Sequence, residues 1–493
     1  MPLEPVVPEQ LAFERLASLI WRGAAKRTHG EAHLLASLSP LAARVPDSRF
    51  VWHPALRASS RGALVRSLLS ELGGALLRGA AKLLRGGVRF EVATAGSRGG
   101  GLLVVPSALG KLDAQGRFTT PYIDLDPERE ALVFGPPGTC GRAAQPVRVG
   151  AGTLLGLAVR LKVAGLVSAV SADGPVGDRM LLLLEWLVWV AGLRFAYDLA
   201  LARALEARIE AGNVPVIGSV HELNSIGRTI WAVAARHDVP GRALQHAEIT
   251  SGKRWYFPLS EELAAGVSLP AEFVVYDPRL AEELASYLPG VRFRLGCSQR
   301  YALWKRVAPA PRTAGGVALF VGALAPFDND VVLGALERIA EARPALGLAV
   351  RLHPAAEVLP PRARALARLE ATGAVEVSRG LTLAEDLARA SVVIGMSTTV
   401  LEEALLTGCP AVQLTDPDFL AYIDLHSVAG ATRLACEKLD AAALTAAAAT
   451  DPASIAAGAA EIEARLGLGH AIVTHAALLD GEPLSWADTS APN

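Results

Sequence analysis

The sequence predicts an α/β protein with two doubly wound domains, and three observations carry that expectation. From about residue 213, short β-branched runs alternate with helical stretches, the rhythm of βαβ units that build parallel sheets. A stretch rich in Pro, Ala and Gly, residues 307–316, splits this alternation into two blocks as a linker would. The chain has 493 residues, too many for one compact core.

Composition narrows the class. Hydrophobic residues make up 51% and charged residues 20%, which fits a globular protein rather than a disordered one. The formal net charge of -1 gives no global bias toward nucleic acid, so no nucleic-acid partner is expected. Arg61, Arg66, Arg78, Lys82 and Arg85 nevertheless give the N-terminal region a basic face. Cys140, Cys297, Cys409 and Cys436 lie far apart with no CxxC pair, so neither a zinc site nor a redox motif is expected. The N-terminus MPLEPVVPEQ lacks the basic stretch and apolar run of a secretory signal. The expected location is the cytoplasm, with peripheral membrane association at its inner face as a further option. Met180–Ala202 is long enough to span a bilayer, but Glu185, Arg194 and Asp198 interrupt it, and it reads as a buried or interfacial helix.

In order along the chain, residues 1–90 read as a helical N-terminal region, with apolar residues at three- and four-residue spacing. Residues 91–306 form the first Rossmann-like domain, expected to take the acceptor. It opens with the β-like runs FEVATAG, GLLVVPS and EALVFGPPG, and residues 151–210 return to helix. VPVIGSV, GRALQH, EFVVYD and VRFRLG follow as strands. Residues 317–470 form the second, with strands GVALFVGA, GLAVRLHP, AVEVS, SVVIGM and PAVQLTD between helices. Residues 471–493 are left as a tail. Two such domains are expected to face a cleft at the carboxyl ends of their strands, where ligands bind doubly wound sheets.

Three elements of the second domain suggest a phosphate-bearing ligand. Arg351, His353 and Pro354 end one strand; Pro354 stops the ladder and leaves His353 at the strand's carboxyl end, where an imidazole can donate to phosphate oxygens. Ser397, Thr398 and Thr399 stand between a strand and a helix, where free N–H groups favour anions. Thr399 and Glu402 also match a capping box, which needs no ligand. Glu403 and Ala404, followed by Gly408 and Pro410, place a carboxylate one turn into that helix, in reach of ribose hydroxyls. Asp328–Asp330 reads as a helix N-cap rather than a metal site.

The order HP, then small hydroxyls, then EA…GxP resembles the donor domain of GT-B glycosyltransferases, over about 110 residues. It is most similar to the bacterial capsule and surface-polysaccharide group that includes polysialyltransferases, Kdo transferases and CDP-glycerol-type polymerases. The resemblance implies a metal-independent enzyme without a cofactor. It would move a sugar from a nucleotide-activated donor, with a CMP-linked ulosonic acid as first choice, to a glycan or lipid-linked acceptor. It implies that His353, Pro354, Ser397, Thr398, Thr399 and Glu403 contact the donor nucleotide, with Gly322 at the first strand end. A CDP-polyol phosphotransferase and a nucleotide-sugar epimerase share this form; at Gly322–Leu324 the chain lacks the His-Arg-Arg-Glu-Asn-like stretch of the epimerases.

The first domain would then supply the acid–base chemistry. Glu222 ends one strand and is the expected general base. Gln245 and His246 end the next, similar to the Gln-His-Gly turn of surface-polysaccharide transferases with Ala247 in place of Gly; His246 is the expected partner. Lys253 and Arg254, with Arg351, are expected to stabilise the leaving phosphate. Arg117, Tyr122, Asp124 and Asp126 form a polar knot that either lines an acceptor site or is an exposed turn.

Overall fold

The computed structural model describes residues 8–38, 40, 61–96, 98–304, 316–323, 326–353, 358–416 and 422–480. The chain divides into two compact units. Unit 1 comprises Met1–His246, Lys253–Gln299 and His470–Asn493; unit 2 comprises Ala247–Gly252 and Arg300–Gly469. All of the expected linker but Gly316 lies outside the described residues.

Unit 1 is built on an eight-stranded sheet. Its strands are β1 (Gly87–Ala95), β2 (Arg98–Pro106), β5 (Arg129–Gly135), β6 (Gln145–Gly150), β7 (Ile217–Ser219), β8 (Gly241–Leu244), β9 (Glu272–Val275) and β10 (Arg292–Leu295). The short pair β3 (Lys111–Leu112) and β4 (Phe118–Thr119) stands apart. The order across the large sheet is β10-β9-β8-β7-β2-β5-β1-β6. Pairing is parallel from β10 to β5, and β1 runs antiparallel to both β5 and β6. The sheet is therefore the expected parallel one with an antiparallel strand inserted near one edge. Leu102–Val105, Ala131–Phe134 and Phe273–Val275 are continuous buried runs, as a sheet covered on both faces requires.

The helical N-terminal region is integral to unit 1. Helix Pro8–Lys26 packs on helices Gly30–Ser37 and Ala151–Ser171. Trp21 meets Trp186 edge to face at 4.5 Å, and Trp186 meets Trp189 at 5.4 Å. Met180–Ala202, expected as one helix, is two. Val176–Ala191 and Ala196–Glu210 meet at a bend of 58°. Leu193 takes a φ of 51° at the break, and Lys82 donates to the freed Gly192 carbonyl at 2.9 Å. Glu185 is fully buried in the first of these helices, so the segment is core.

The C-terminal helix His475–Asp480 returns to the sheet of unit 1. Arg242 donates to the Leu478 carbonyl at 3.1 Å, and Arg129 holds Asp480 at 2.7 Å. The helix lies against Gly101, whose φ is 138°; a Cβ there would stand 2.6 Å from Val216 Cγ1 and 3.1 Å from Leu479 Cβ. The glycine run Gly99–Gly101 thus bends β2 and admits the helix.

Unit 2 is a six-stranded, all-parallel sheet: β11 (Val317–Val321), β12 (Gly347–Arg351), β13 (Glu376–Val377), β14 (Ala390–Gly395), β15 (Ala411–Thr415) and β16 (Ala431–Ala435). The order β13-β12-β11-β14-β15-β16 is the doubly wound Rossmann order. The excursion Ala247–Gly252 is tied into this unit through Glu248, which accepts from the Asp424 N–H at 3.1 Å and lies 3.6 Å from Arg465.

One buried ion pair joins the first helix to the rest of unit 1. Arg254 donates through Nε and Nη2 to the two Glu14 carboxylate oxygens, each at 3.0 Å, and both side chains are buried. Removing one partner strands the other charge. Glu14→Ala should lower unfolding free energy by about 3 kcal/mol in denaturant titration. An unchanged midpoint would show that the pair does not hold the helix.

Candidate functional site

In unit 2 the chain leaves β11 toward one edge of the sheet and leaves β14 toward the other. The carboxyl ends of these two neighbours form the switch point of the fold, the place where doubly wound sheets leave room for a ligand. Gly322 follows β11, and its N–H donates to the Arg351 carbonyl at 2.8 Å. A Cβ there would come within 2.6 Å of Asn329 Oδ1 and 3.0 Å of Leu352 Cδ2. Asn329 holds the next residue by accepting from the Ala323 N–H and donating to its carbonyl, both at 3.0 Å. Asp328–Asp330 thus lies inside helix Pro326–Ala342 rather than capping it, with Asn329 fixing the preceding loop.

After β14 come Ser397, Thr398 and Thr399, then helix Val400–Leu406. Ser397 Oγ accepts from the Tyr422 N–H at 3.2 Å, and Thr398 Oγ1 from the Val400 N–H at 3.4 Å. The expected capping box at Thr399 does not form. Its backbone is helical, with φ -62° and ψ -11°, and it makes no side-chain cap bond. Instead Thr399 Oγ1 accepts from Arg300 Nη2 at 2.6 Å. Arg300 also holds Glu403 Oε1, through Nη2 at 2.7 Å and Nε at 3.1 Å. Glu403 is buried, and its Oε2 has no hydrogen-bond partner among the described residues.

His353 is exposed at the end of β12, yet neighbouring protein shields its imidazole from water, and this and the Arg300 charge hold its pKa below the usual range. At neutral pH it therefore offers a neutral ring, and the positive charge of the cluster belongs to Arg300. Sequence reading missed Arg300. It lies about a hundred residues from its partners, in a stretch with no motif. Pro354 lies outside the described residues.

In unit 1, Glu222 follows β7 and is fully buried. Its Oε1 accepts from the His246 backbone N–H at 2.7 Å, and its Oε2 from His246 Nδ1 at 2.8 Å. Tyr256 supplies a further hydrogen bond. Burial pushes the Glu222 carboxyl up, but the His246 charge and both His246 hydrogen bonds push it down, leaving it below the ordinary glutamate range. The neighbouring His221 is lowered to about 3, first by burial and then by the His246 charge. Tyr122 stands edge to face against the His246 ring at 5.7 Å. Asn224 caps helix Ser225–Arg236 by accepting from the Gly227 N–H at 3.1 Å, and its amide contacts His221 Nδ1. The His246 side chain retains 22% of its exposure, whereas Glu222 retains 1%. With Nδ1 bonded to Glu222, Nε2 is the ring nitrogen left outside this hydrogen bond. Of the pair, His246 is thus the member that keeps contact with solvent, and Glu222 is the buried group that orients it.

Of the three expected phosphate ligands, Arg254 and Arg351 are held by carboxylates of their own units. Arg254 is buried against Glu14. Arg351 pairs with Asp386 at 2.7 Å and donates to the Leu381 carbonyl at 2.8 Å. Lys253 is buried just before Arg254. Within the polar knot, Arg117 pairs with Asp113 at 2.9 Å and Asp126 with Arg129 at 3.3 Å, so Tyr122 is its one member against the His246 ring.

Because the folded pKa of Glu222 is depressed, its ionisation stabilises the fold above the unfolded glutamate pKa, about 4.3, and that contribution fades as pH falls through the folded value. Glu222→Gln should thus be less stable than the parent at pH 7, and the gap should narrow in acid, followed by thermal unfolding across pH. A gap independent of pH would deny the carboxylate its charge.

The sequence matches no known family profile and no curated protein. Among solved structures, the chain is similar to UDP-GlcNAc 2-epimerase from Neisseria meningitidis bound to UDP-GlcNAc, at 13% identity over 55% of this chain and 80% of that one, TM-score 0.34. It is similar to UDP-GlcNAc 2-epimerase from Methanocaldococcus jannaschii in complex with UDP-GlcNAc and UDP, at 12% identity over 55% and 80%, TM-score 0.38. It is also similar to a UDP-forming α,α-trehalose-phosphate synthase from Burkholderia xenovorans, at 12% identity over 74% and 95%, TM-score 0.38. These likenesses are distant, too much so to assign a function.

Proposed function

We propose that the chain is a glycosyltransferase that takes a sugar from a nucleotide-activated donor and passes it to a glycan or lipid-linked hydroxyl. The observation that carries this reading is the cluster at the switch point of unit 2. There the buried Glu403 presents one oxygen without a partner among the described residues, Arg300 supplies positive charge, and Thr399 stands beside them. A carboxylate oxygen suits paired ribose hydroxyls, while a guanidinium and hydroxyls suit phosphate. The order HP, STT and EA…GxP, similar to GT-B donor domains, supports the same assignment. His353 contributes a neutral N–H donor at the end of β12.

Unit 1 supplies the proton transfer. His246 Nε2 takes the proton of the acceptor hydroxyl, and Glu222 holds the ring and stabilises the imidazolium that forms. The acceptor oxygen bonds to the anomeric carbon as the bond from that carbon to the nucleotide's phosphate oxygen breaks. The nucleotide leaves with the bonding electrons, its charge met by Arg300. The donor to test first is a CMP-linked ulosonic acid, and the acceptor a surface polysaccharide or glycolipid. The working location is the cytoplasm.

Thermal shift against CMP, CDP, UDP and GDP should single out one nucleotide. Glu403→Gln and His353→Ala should each weaken that nucleotide at least about tenfold by calorimetry, the loss of one charge-assisted contact. His246→Ala should abolish transfer and spare nucleotide binding. Unchanged affinity in both unit 2 variants would remove the donor site. A phosphodiester product, or epimerised donor without acceptor, would replace glycosyl transfer with one of the related chemistries.

A further inference from the structure

Large exposed apolar side chains gather on one part of unit 1. On helix Ala151–Ser171, Leu155, Val159, Val163, Leu166, Val167 and Val170 are all exposed. At about 100° per residue they fall within an arc of about 120°. Exposed Lys162 lies at one margin of that arc and exposed Arg160 at the other. The opposite side is committed to protein. Trp186 donates to the Leu161 carbonyl at 2.9 Å and lies against Gly165, and Ser168 lies against Gly23. The helix is long and apolar enough to cross a membrane. With one side buried in unit 1, it is suited to lie along an apolar medium rather than to pass through it.

Helix Arg61–Leu84 packs on Val176–Ala191 and touches Ala151–Ser171. It adds exposed Leu69, Leu76, Leu77 and Leu84, the last 88% accessible, with Arg66 and Arg78 exposed on the same helix and Arg85 just beyond it. The two helices contain a single acid, Glu71, and Arg194 holds it at 2.7 Å.

We propose that this surface docks the protein onto an anionic lipid bilayer. An apolar stripe with Lys and Arg at its margins matches the bilayer interface. The aliphatic side chains enter the acyl boundary, and the cationic heads reach back to lipid phosphates. A second copy of this chain would set like charges against each other, so charge complementarity favours lipid over self-association. The inference stands independently of glycosyl transfer, and its test reads vesicle binding alone.

The full chain should float with vesicles of phosphatidylcholine mixed with phosphatidylglycerol, more than with phosphatidylcholine alone, and less so as salt rises. Val159→Glu combined with Val163→Glu should cut the bound fraction at least about tenfold, with unfolding temperature unchanged because both positions are exposed. Arg160→Ala combined with Lys162→Ala should keep the fold and lose the preference for the anionic lipid. Absence of binding by the parent chain, or equal binding by the Val159/Val163 variant, would overturn the proposal. So would an oligomer in solution that the same variant dissociates without any vesicle binding, which would make the surface an interface between copies.

Discussion

The buried carboxylate of Glu222 is the constraint around which the first unit is arranged. An ionised group without exposure must have its oxygens satisfied from within, and three donors do so: the His246 backbone, the His246 ring and Tyr256. The backbone bond fixes the turn after β8, and the ring bond fixes the imidazole on that turn. The close approach of Gly227 to the Glu222 carbonyl, where a Cβ has no room, and the bond from Trp231 Nε1 to the same carbonyl hold the residue in place from the helix that follows. Structure and chemistry share one cause here. The bonds that make the burial tolerable are those that orient the His246 ring.

The second unit uses the same principle with an arginine as the partner. Glu403 is buried one turn into its helix, and Arg300 satisfies one of its oxygens while also binding Thr399. Burial, and then the Arg300 charge, hold the His353 pKa below its usual range, so the cluster combines the Arg300 charge with neutral donors. Such a mixture suits a nucleotide, whose phosphates need charge and whose ribose needs an acceptor. The topology places it there. In the Rossmann order, the chain departs from the neighbouring ends of β11 and β14 toward opposite edges of the sheet.

Local pattern made much of this legible. The alternation of β-branched runs with helical stretches located nearly every strand of unit 2, and the placement of His353, the Ser397–Thr399 run and Glu403 at strand ends followed from it. The capping-box signature at Thr399 misled because a hydroxyl two or three bonds from its own backbone satisfies whichever donor is nearest, and Arg300 is nearer. The cations Arg254 and Arg351 misled for a related reason. Their position in the chain suggests ligand contact, but in the folded protein they pair with Glu14 and Asp386. The single helix expected over Met180–Ala202 broke at Leu193, because apolar composition says nothing about the packing that bends a chain.

By itself the sequence determined the class of the fold, the order of its strands along the chain, and the candidate residues at their ends, because periodicity and turn chemistry act over a few residues. Tertiary structure decided the rest. It set one antiparallel strand into the first sheet, returned helix His475–Asp480 to that sheet, and brought Arg300 to Glu403. It also made His246, rather than Glu222, the candidate for contact with a ligand. That choice depends on which of two bonded groups keeps contact with water, and burial is a property of the folded chain, with no trace in the spacing of its letters.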